Sequence, residues 1–148
     1  MELSNNGFQP KLLAFCCNWC SYAGADLAGV SRLQMPHNLR VIRVMCSGRV
    51  SPEWVIKALS SGMDGVMVLG CHIGDCHYID GNHRTKKRFA ILAKLLGTMG
   101  INPNRLYLDW VSASEGVKFQ DVVIKFVDRI KELGPTPIGA YQGVKVDR

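Results

Sequence analysis

Four short apolar runs divide the chain, with room for a helix between each pair. Residues 11–16 (Lys-Leu-Leu-Ala-Phe-Cys) and 65–71 (Gly-Val-Met-Val-Leu-Gly-Cys) are nearly continuous in apolar character. Residues 40–46 (Arg-Val-Ile-Arg-Val-Met-Cys) are β-branched, and residues 105–110 (Arg-Leu-Tyr-Leu-Asp-Trp) form the fourth run. Runs of this length and composition predict buried strands. The first intervening helix is expected over residues 22–33, before Pro36. The second opens at Ser51-Pro52-Glu53, an N-cap followed by proline at the first helical position, and closes near Gly62. The third covers 83–99, with Phe89, Leu92, Leu95 and Leu96 at helical spacing and Gly100 as its stop. In the fourth, Val122, Val123, Phe126, Ile130 and Leu133 recur at helical steps until Gly134-Pro135. Strands alternating with helices predict an α/β fold: an open, mostly parallel sheet of four or five strands with helices on both faces, flavodoxin-like in outline. Residues 1–134 are expected to form a single α/β domain, and residues 135–148, without apolar periodicity, a tail that is a candidate docking arm for a partner.

This layout gives the cysteines their meaning. Cys17 and Cys20 follow the first expected strand, Cys46 ends the second, and Cys71 and Cys76 follow the third. In a parallel sheet those strand ends share one edge, the edge at which open α/β sheets bind ligands. Neighbouring strands lie about 5 Å apart, so the five thiols are expected to converge. The first ten residues carry no basic n-region and the apolar run 12–17 is too short for a signal-peptide core, so the chain is expected in the cytoplasm. There, thiols serve more often as metal ligands or redox groups than as structural disulfides.

No run approaches the roughly 20 apolar residues of a membrane span. The net charge of +6 over 148 residues, with pI near 9.1, raises nucleic acid as a partner. The basic residues form no long run interleaved with aromatics and no nucleic-acid motif appears, so that class is set aside. The charge is suited instead to balancing an anionic cofactor or steering an acidic partner.

Iron in a cluster wants soft thiolate donors, and Cys17-Asn18-Trp19-Cys20 supplies two on one turn, with two more available from Cys46, Cys71 and Cys76. A two-iron cluster is expected, because no compact Cys-x-x-Cys-x-x-Cys run is present. Four of these five cysteines are the expected ligands. Cys16 is the outsider, since it adjoins Cys17 and alternate strand residues face opposite ways. Two other readings stay open on spacing alone: a metal-free thiol-disulfide oxidoreductase using Cys17 and Cys20, and a zinc-bound interaction module.

The loop from Gly70 to Asn82 is long for a strand-to-helix connection. Its His72 and His77 are candidate hydrogen-bond donors to cluster sulfur, a contact that raises reduction potential. Arg84, Lys86, Lys87 and Arg88 fall in the expected first turns of the next helix, where the dipole disfavours cations; they are candidates for stabilising a reduced cluster or binding a partner. Trp19 and Tyr22 flank the Cys-x-x-Cys turn as shields, and Ser112, Ser114 and Glu115 reach the same edge without a legible nucleophile-base pairing.

The segments Phe15-Cys-Cys-Asn-Trp-Cys-Ser-Tyr-Ala-Gly-Ala-Asp26, Arg43-Val-Met-Cys-Ser-Gly-Arg-Val50 and Gly70-Cys-His-Ile-Gly-Asp-Cys-His-Tyr78 resemble the delta subunit of the methyl-viologen-reducing (F420-non-reducing) hydrogenase of methanogenic archaea. The likeness runs over about residues 11–133. It implies a [2Fe-2S] protein whose family cysteines fall on Cys17, Cys20, Cys46, Cys71 and Cys76. It further implies an electron-transfer subunit without a substrate-converting site of its own. Electrons would pass from the hydrogenase small subunit, or from a formate dehydrogenase, to the flavin-containing subunit of heterodisulfide reductase, where bifurcation takes place.

Overall fold

The computed structural model describes residues 7–137. In chain order it contains β1 (Leu12–Cys17), α1 (Ser21–Val30), β2 (Leu39–Val44), α2 (Pro52–Ser60), β3 (Gly65–Gly70), α3 (Gly81–Thr98), β4 (Leu106–Trp110) and α4 (Gly116–Leu133). Single 3-10 turns at Ser47–Arg49 and Pro103–Arg105 precede α2 and β4. The four strands are all parallel in the order β2-β1-β3-β4, with Leu12 opposite both Leu39 and Gly65, and Val66 opposite Leu106. This is the flavodoxin-like arrangement, with its topological switch point between β1 and β3. Among the described residues, no helix is long and apolar enough to cross a membrane.

Side-chain alternation divides the core. Leu12, Ala14, Cys16, Met67 and Leu69 face α1 and α4, where they meet Ala28, Phe119, Val123 and Phe126. Phe15, Val44, Val66 and Val68 face α2 and α3, against Val55, Leu59, Phe89, Leu92 and Leu96. Cys16 therefore lies wholly inside the first layer, and burial pushes its thiol up to about 12. Its neighbour Cys17 turns toward the cysteine-bearing edge.

Three elements differ from expectation. α4 begins at Gly116 and not at Val122, because Phe119 already packs into the core. α3 begins at Gly81, which moves Lys86, Lys87 and Arg88 beyond the first turn, so the dipole penalty expected for them falls away, while Arg84 closes that turn and is paired with Asp80. The third difference concerns β2. Its β-branched run predicts a buried strand, yet Arg40, Val41, Ile42 and Arg43 are exposed, because β2 is the outermost strand and α1 and α2 leave its flanks open.

The opposite end of the sheet is fastened by one arginine. Arg105, 3% exposed, donates to the carbonyls of Asp64 (3.0 Å), Gly134 (2.9 Å) and Pro135 (3.2 Å). The Asp64 carboxylate accepts the amides of Lys11 (2.9 Å) and Thr136 (3.0 Å). The start of β1, the start of β3 and the end of α4 are thus held together. Burial holds the guanidinium pKa below its ordinary value, and the nearby Asp64 charge opposes that shift. Arg105→Met keeps side-chain length but leaves three carbonyls without their donor; unfolding free energy should fall by about 3 kcal/mol, read as a lower urea midpoint at unchanged slope.

Candidate metal centre

The end of β1 is set by a hydroxyl bridge. The Cys17 amide donates to Ser21 Oγ (2.7 Å), and Ser21 Oγ donates to the Leu69 carbonyl (2.7 Å), which ties the first residue of α1 to both central strands. The turn between them swings Cys20 back beside Cys17. Cys71, one residue beyond β3, arrives from the adjacent strand. The three sulfurs lie within 4.8 Å of one another, all on buried residues, with Cys17 Sγ and Cys71 Sγ 3.8 Å apart.

A second group stands beside the first. Cys46 follows β2 and Cys76 lies in the β3–α3 loop; their sulfurs are 3.9 Å apart. Gly48 donates its amide to Cys46 Sγ at 3.4 Å. The pair rests on the first residue of α3, where a Cβ on Gly81 would overlap Cys46 Sγ and come within 3.2 Å of Cys76 Sγ. A Cβ on Gly48 would in turn meet the Gly81 carbonyl at 2.9 Å. Glycine at both positions is therefore a condition of this approach. Thr85 Oγ1 to Ser47 Oγ (3.2 Å) and Arg88 to the Gly48 carbonyl (2.5 Å) hold the turn against α3.

The electrostatics single out Cys17. Its thiol is lowered to about 6, chiefly by the hydrogen bond from Cys20, with the Trp19 amide, Cys71 and the Ser47 amide adding to the effect against burial. Cys20 is pushed up by sharing that bond and by burial, Cys71 is raised mainly by burial, and Cys46 is pushed up by burial to about 11. One thiolate supported by neutral thiols is an electron-rich donor set suited to a cation that can share the charge.

The sulfur spacing fits metal. With metal–sulfur bonds of about 2.3 Å, the edge of a tetrahedron of sulfurs is roughly 3.8 Å. The Cys17–Cys71 and Cys46–Cys76 pairs match that edge. The soft thiolate donors suit iron or zinc.

The other candidate residues are placed as follows. The His72 imidazole pairs with Glu115, whose carboxyl is lowered to about 2 by that bond first and by the Ser112 amide second. The pair clamps the Cys71 loop to the start of α4, and Asn82 adds bonds to the carbonyls of Cys71 (3.0 Å) and His72 (2.8 Å). His77 stacks on Trp19 with centroids 3.8 Å apart, and Trp19 Nε1 donates to Tyr78 Oη at 3.2 Å. It is the His77 backbone amide, not its ring, that approaches Cys71 sulfur. Arg84 pairs with Asp80 (2.9 Å) and Arg88 serves the turn described above, while Lys86 and Lys87 are exposed. Ser21, Asn82 and Gly81 are absent from the sequence-based site. With the helix expected from residue 83, none of the three carried a local signal.

The fold and this site define a flavodoxin-like α/β domain with a buried three-cysteine group that could hold a metal, and a second cysteine pair, beside its switch point. The family model for the delta subunit of methyl-viologen-reducing hydrogenase matches residues 12–134, and the chain belongs to that family. It is 48% identical over 140 residues to the vhc iron-sulfur subunit of the F420-non-reducing hydrogenase of Methanococcus voltae, covering 95% of this chain and 96% of that one. It is 49% identical over 128 residues to the iron-sulfur subunit of the F420-non-reducing hydrogenase of Archaeoglobus profundus, covering 86% and 93%. It also matches a subunit of the ferredoxin/F420H2-dependent CoB-CoM heterodisulfide reductase of Methanosarcina acetivorans, 52% identical over 126 residues, which are 85% of this chain but 16% of that protein.

Proposed function

We propose that this chain is an electron-transfer subunit carrying a [2Fe-2S] cluster on four of Cys17, Cys20, Cys46, Cys71 and Cys76. It relays electrons from the hydrogenase small subunit, or from a formate dehydrogenase, to the flavin-containing subunit of heterodisulfide reductase. The observation that carries the cluster is the grouping of thiols into three plus two, each group containing a tetrahedral-edge pair. Two such pairs are what two adjacent irons need, one for each. Cys46 and Cys76 serve one iron, and two of Cys17, Cys20 and Cys71 serve the other. When bound, the cluster supplies one-electron chemistry. The chain's own residues supply the thiolates, the amides of Gly48 and His77 aimed at sulfur, and the Trp19–His77–Tyr78 stack on the solvent side.

The relatives support a hydrogenase and a heterodisulfide reductase as the partners. One is named as part of a hydrogenase, and another joins a matching stretch to a heterodisulfide reductase component in a single polypeptide. Domains joined in that way meet at high effective concentration, which supports a functional contact between their separate counterparts. The C-terminal tail, a candidate docking arm, lies outside the described residues from 138 onward.

Anaerobic purification with iron and acid-labile sulfide analysis tests the cluster: about two of each per chain are expected. Stoichiometric zinc, or a colourless metal-free chain that reduces disulfides through Cys17 and Cys20, would sink the reading.

A further inference from the structure

Among the described residues, β2 is an edge of the sheet with no strand beyond it. Its inner side is satisfied by β1: Leu12 donates to the Asn38 carbonyl (3.1 Å) and Asn18 to the Val44 carbonyl (2.7 Å). Successive strand residues point their amides and carbonyls to opposite sides. Leu39, Val41 and Arg43 therefore turn theirs outward, and no described strand pairs with them. The strand has no proline to blunt that edge, and its flanks are mainly apolar on both faces, with Asp26 in the α1-side groove and Lys57 in the α2-side groove. On the α1 side Val41 (40% exposed) lies in a groove with Tyr22 and Val30 (74%); on the α2 side Ile42 (43%) lies in another with Trp54 (39%).

The charge pattern selects the occupant. The exposed stretch reads Arg40-Val41-Ile42-Arg43, so each face of the edge offers one apolar residue and one cation, with Arg43 lying over the Tyr22 ring. A second copy is a poor match, because edge-to-edge pairing would bring four arginines to one short seam between chains that each carry +6. An extended segment with apolar residues flanked by carboxylates matches both the grooves and the arginines. β2 also leads through exposed Met45 directly to Cys46, so a strand added here ends at the rim of the cysteine cluster.

We infer that β2 is the docking edge for an acidic, apolar-centred extended segment of a protein partner, which adds to the sheet as a strand. The identity of that partner rests on the relay reading above; the edge itself does not.

Residue-resolved amide exchange on the full chain tests it with two probes. The first is an end-blocked Ser-Glu-Val-Val-Glu-Ser peptide, the second the purified flavin-containing component of heterodisulfide reductase. In the free chain the Arg40 and Ile42 amides should be protected and those of Val41 and Arg43 fast. Either probe should slow Val41 and Arg43 by at least about tenfold. A peptide with lysine in place of glutamate should not. Val41→Pro removes only an outward amide and should abolish the protection of the remaining Arg43 amide. Arg40→Glu with Arg43→Glu, which keeps that amide, should weaken peptide binding by at least about tenfold.

Fast exchange at both amides with the peptide and with the reductase component overturns the proposal. A reductase component that binds without protecting them also overturns it, while leaving the relay intact. Protection by the peptide without any binding of the reductase component supports the edge and counts against the relay's named partner. Concentration-dependent dimerisation that Val41→Pro prevents would assign the edge to a second copy and overturn the acidic segment.

Discussion

Gly81→Ala should yield a well-folded chain that takes up iron about 10–100-fold less readily, the range seen when a ligand's support is disturbed. Two effects oppose each other at this position. Alanine in place of glycine at the start of α3 favours the helix by roughly 0.5–1 kcal/mol. The same methyl group would overlap Cys46 Sγ and crowd Cys76 Sγ. The backbone has little freedom to withdraw, since Thr85 and Arg88 fix α3 to the Ser47–Arg49 turn and Gly48 abuts the Gly81 carbonyl. The two sulfurs must rotate away from each other instead. The thermal midpoint of the metal-free chain reads the helix gain net of moving the two thiols, and iron and sulfide content reads the lost approach of the sulfurs, so the two measurements together separate folding from metal uptake. Normal iron content in a stable Gly81→Ala chain would remove Cys46 and Cys76 from the centre.

That glycine shows where sequence reading stops. The strand ends carrying Cys17, Cys20, Cys46, Cys71 and Cys76 were legible because apolar runs mark strands, and parallel strands deliver their carboxyl ends to one edge. Cys16 was legible for the same reason, through side-chain alternation. The division of the thiols into three and two was not. It depends on how closely the Ser47–Arg49 turn approaches α3, a long-range packing distance with no local pattern. His72 with Glu115 joins residues 43 positions apart, so neither neighbourhood announces the other. The exposure of β2 escaped for a related reason. Its β-branched residues suit any strand, and only the order β2-β1-β3-β4 makes it an edge. The basic run after Asp80 looked costly because the helix start was placed two residues late, a distance that matters when the dipole acts over one turn.

A series of single alanine substitutions at Cys16 and Cys17 should give opposite results from chemically identical changes. Both side chains are buried, and each loses one sulfur atom, at a cost to folding of about 1 kcal/mol. Cys16 faces Ala28, Val123 and the rest of the α1–α4 layer, with its thiol pushed up to about 12, so it is poorly suited to ionise for a metal. Cys16→Ala should keep full iron and sulfide content and an unaltered visible spectrum. Cys17 lies 3.8 Å from Cys71 sulfur and is lowered to about 6 by its thiol and amide donors, so it is the cysteine most ready to bind. Cys17→Ala should lose iron by at least about tenfold at similar metal-free stability. Extending the series to Cys20 and Cys71 resolves the remaining choice. If Cys46 and Cys76 serve one iron, one member of the buried triad is surplus, and its alanine variant alone should retain the cluster. Loss of iron in Cys16→Ala would place the centre on the wrong side of the sheet, and full retention in Cys17→Ala would make Cys17 the surplus member of the triad, against the reading that it is the thiol most ready to bind.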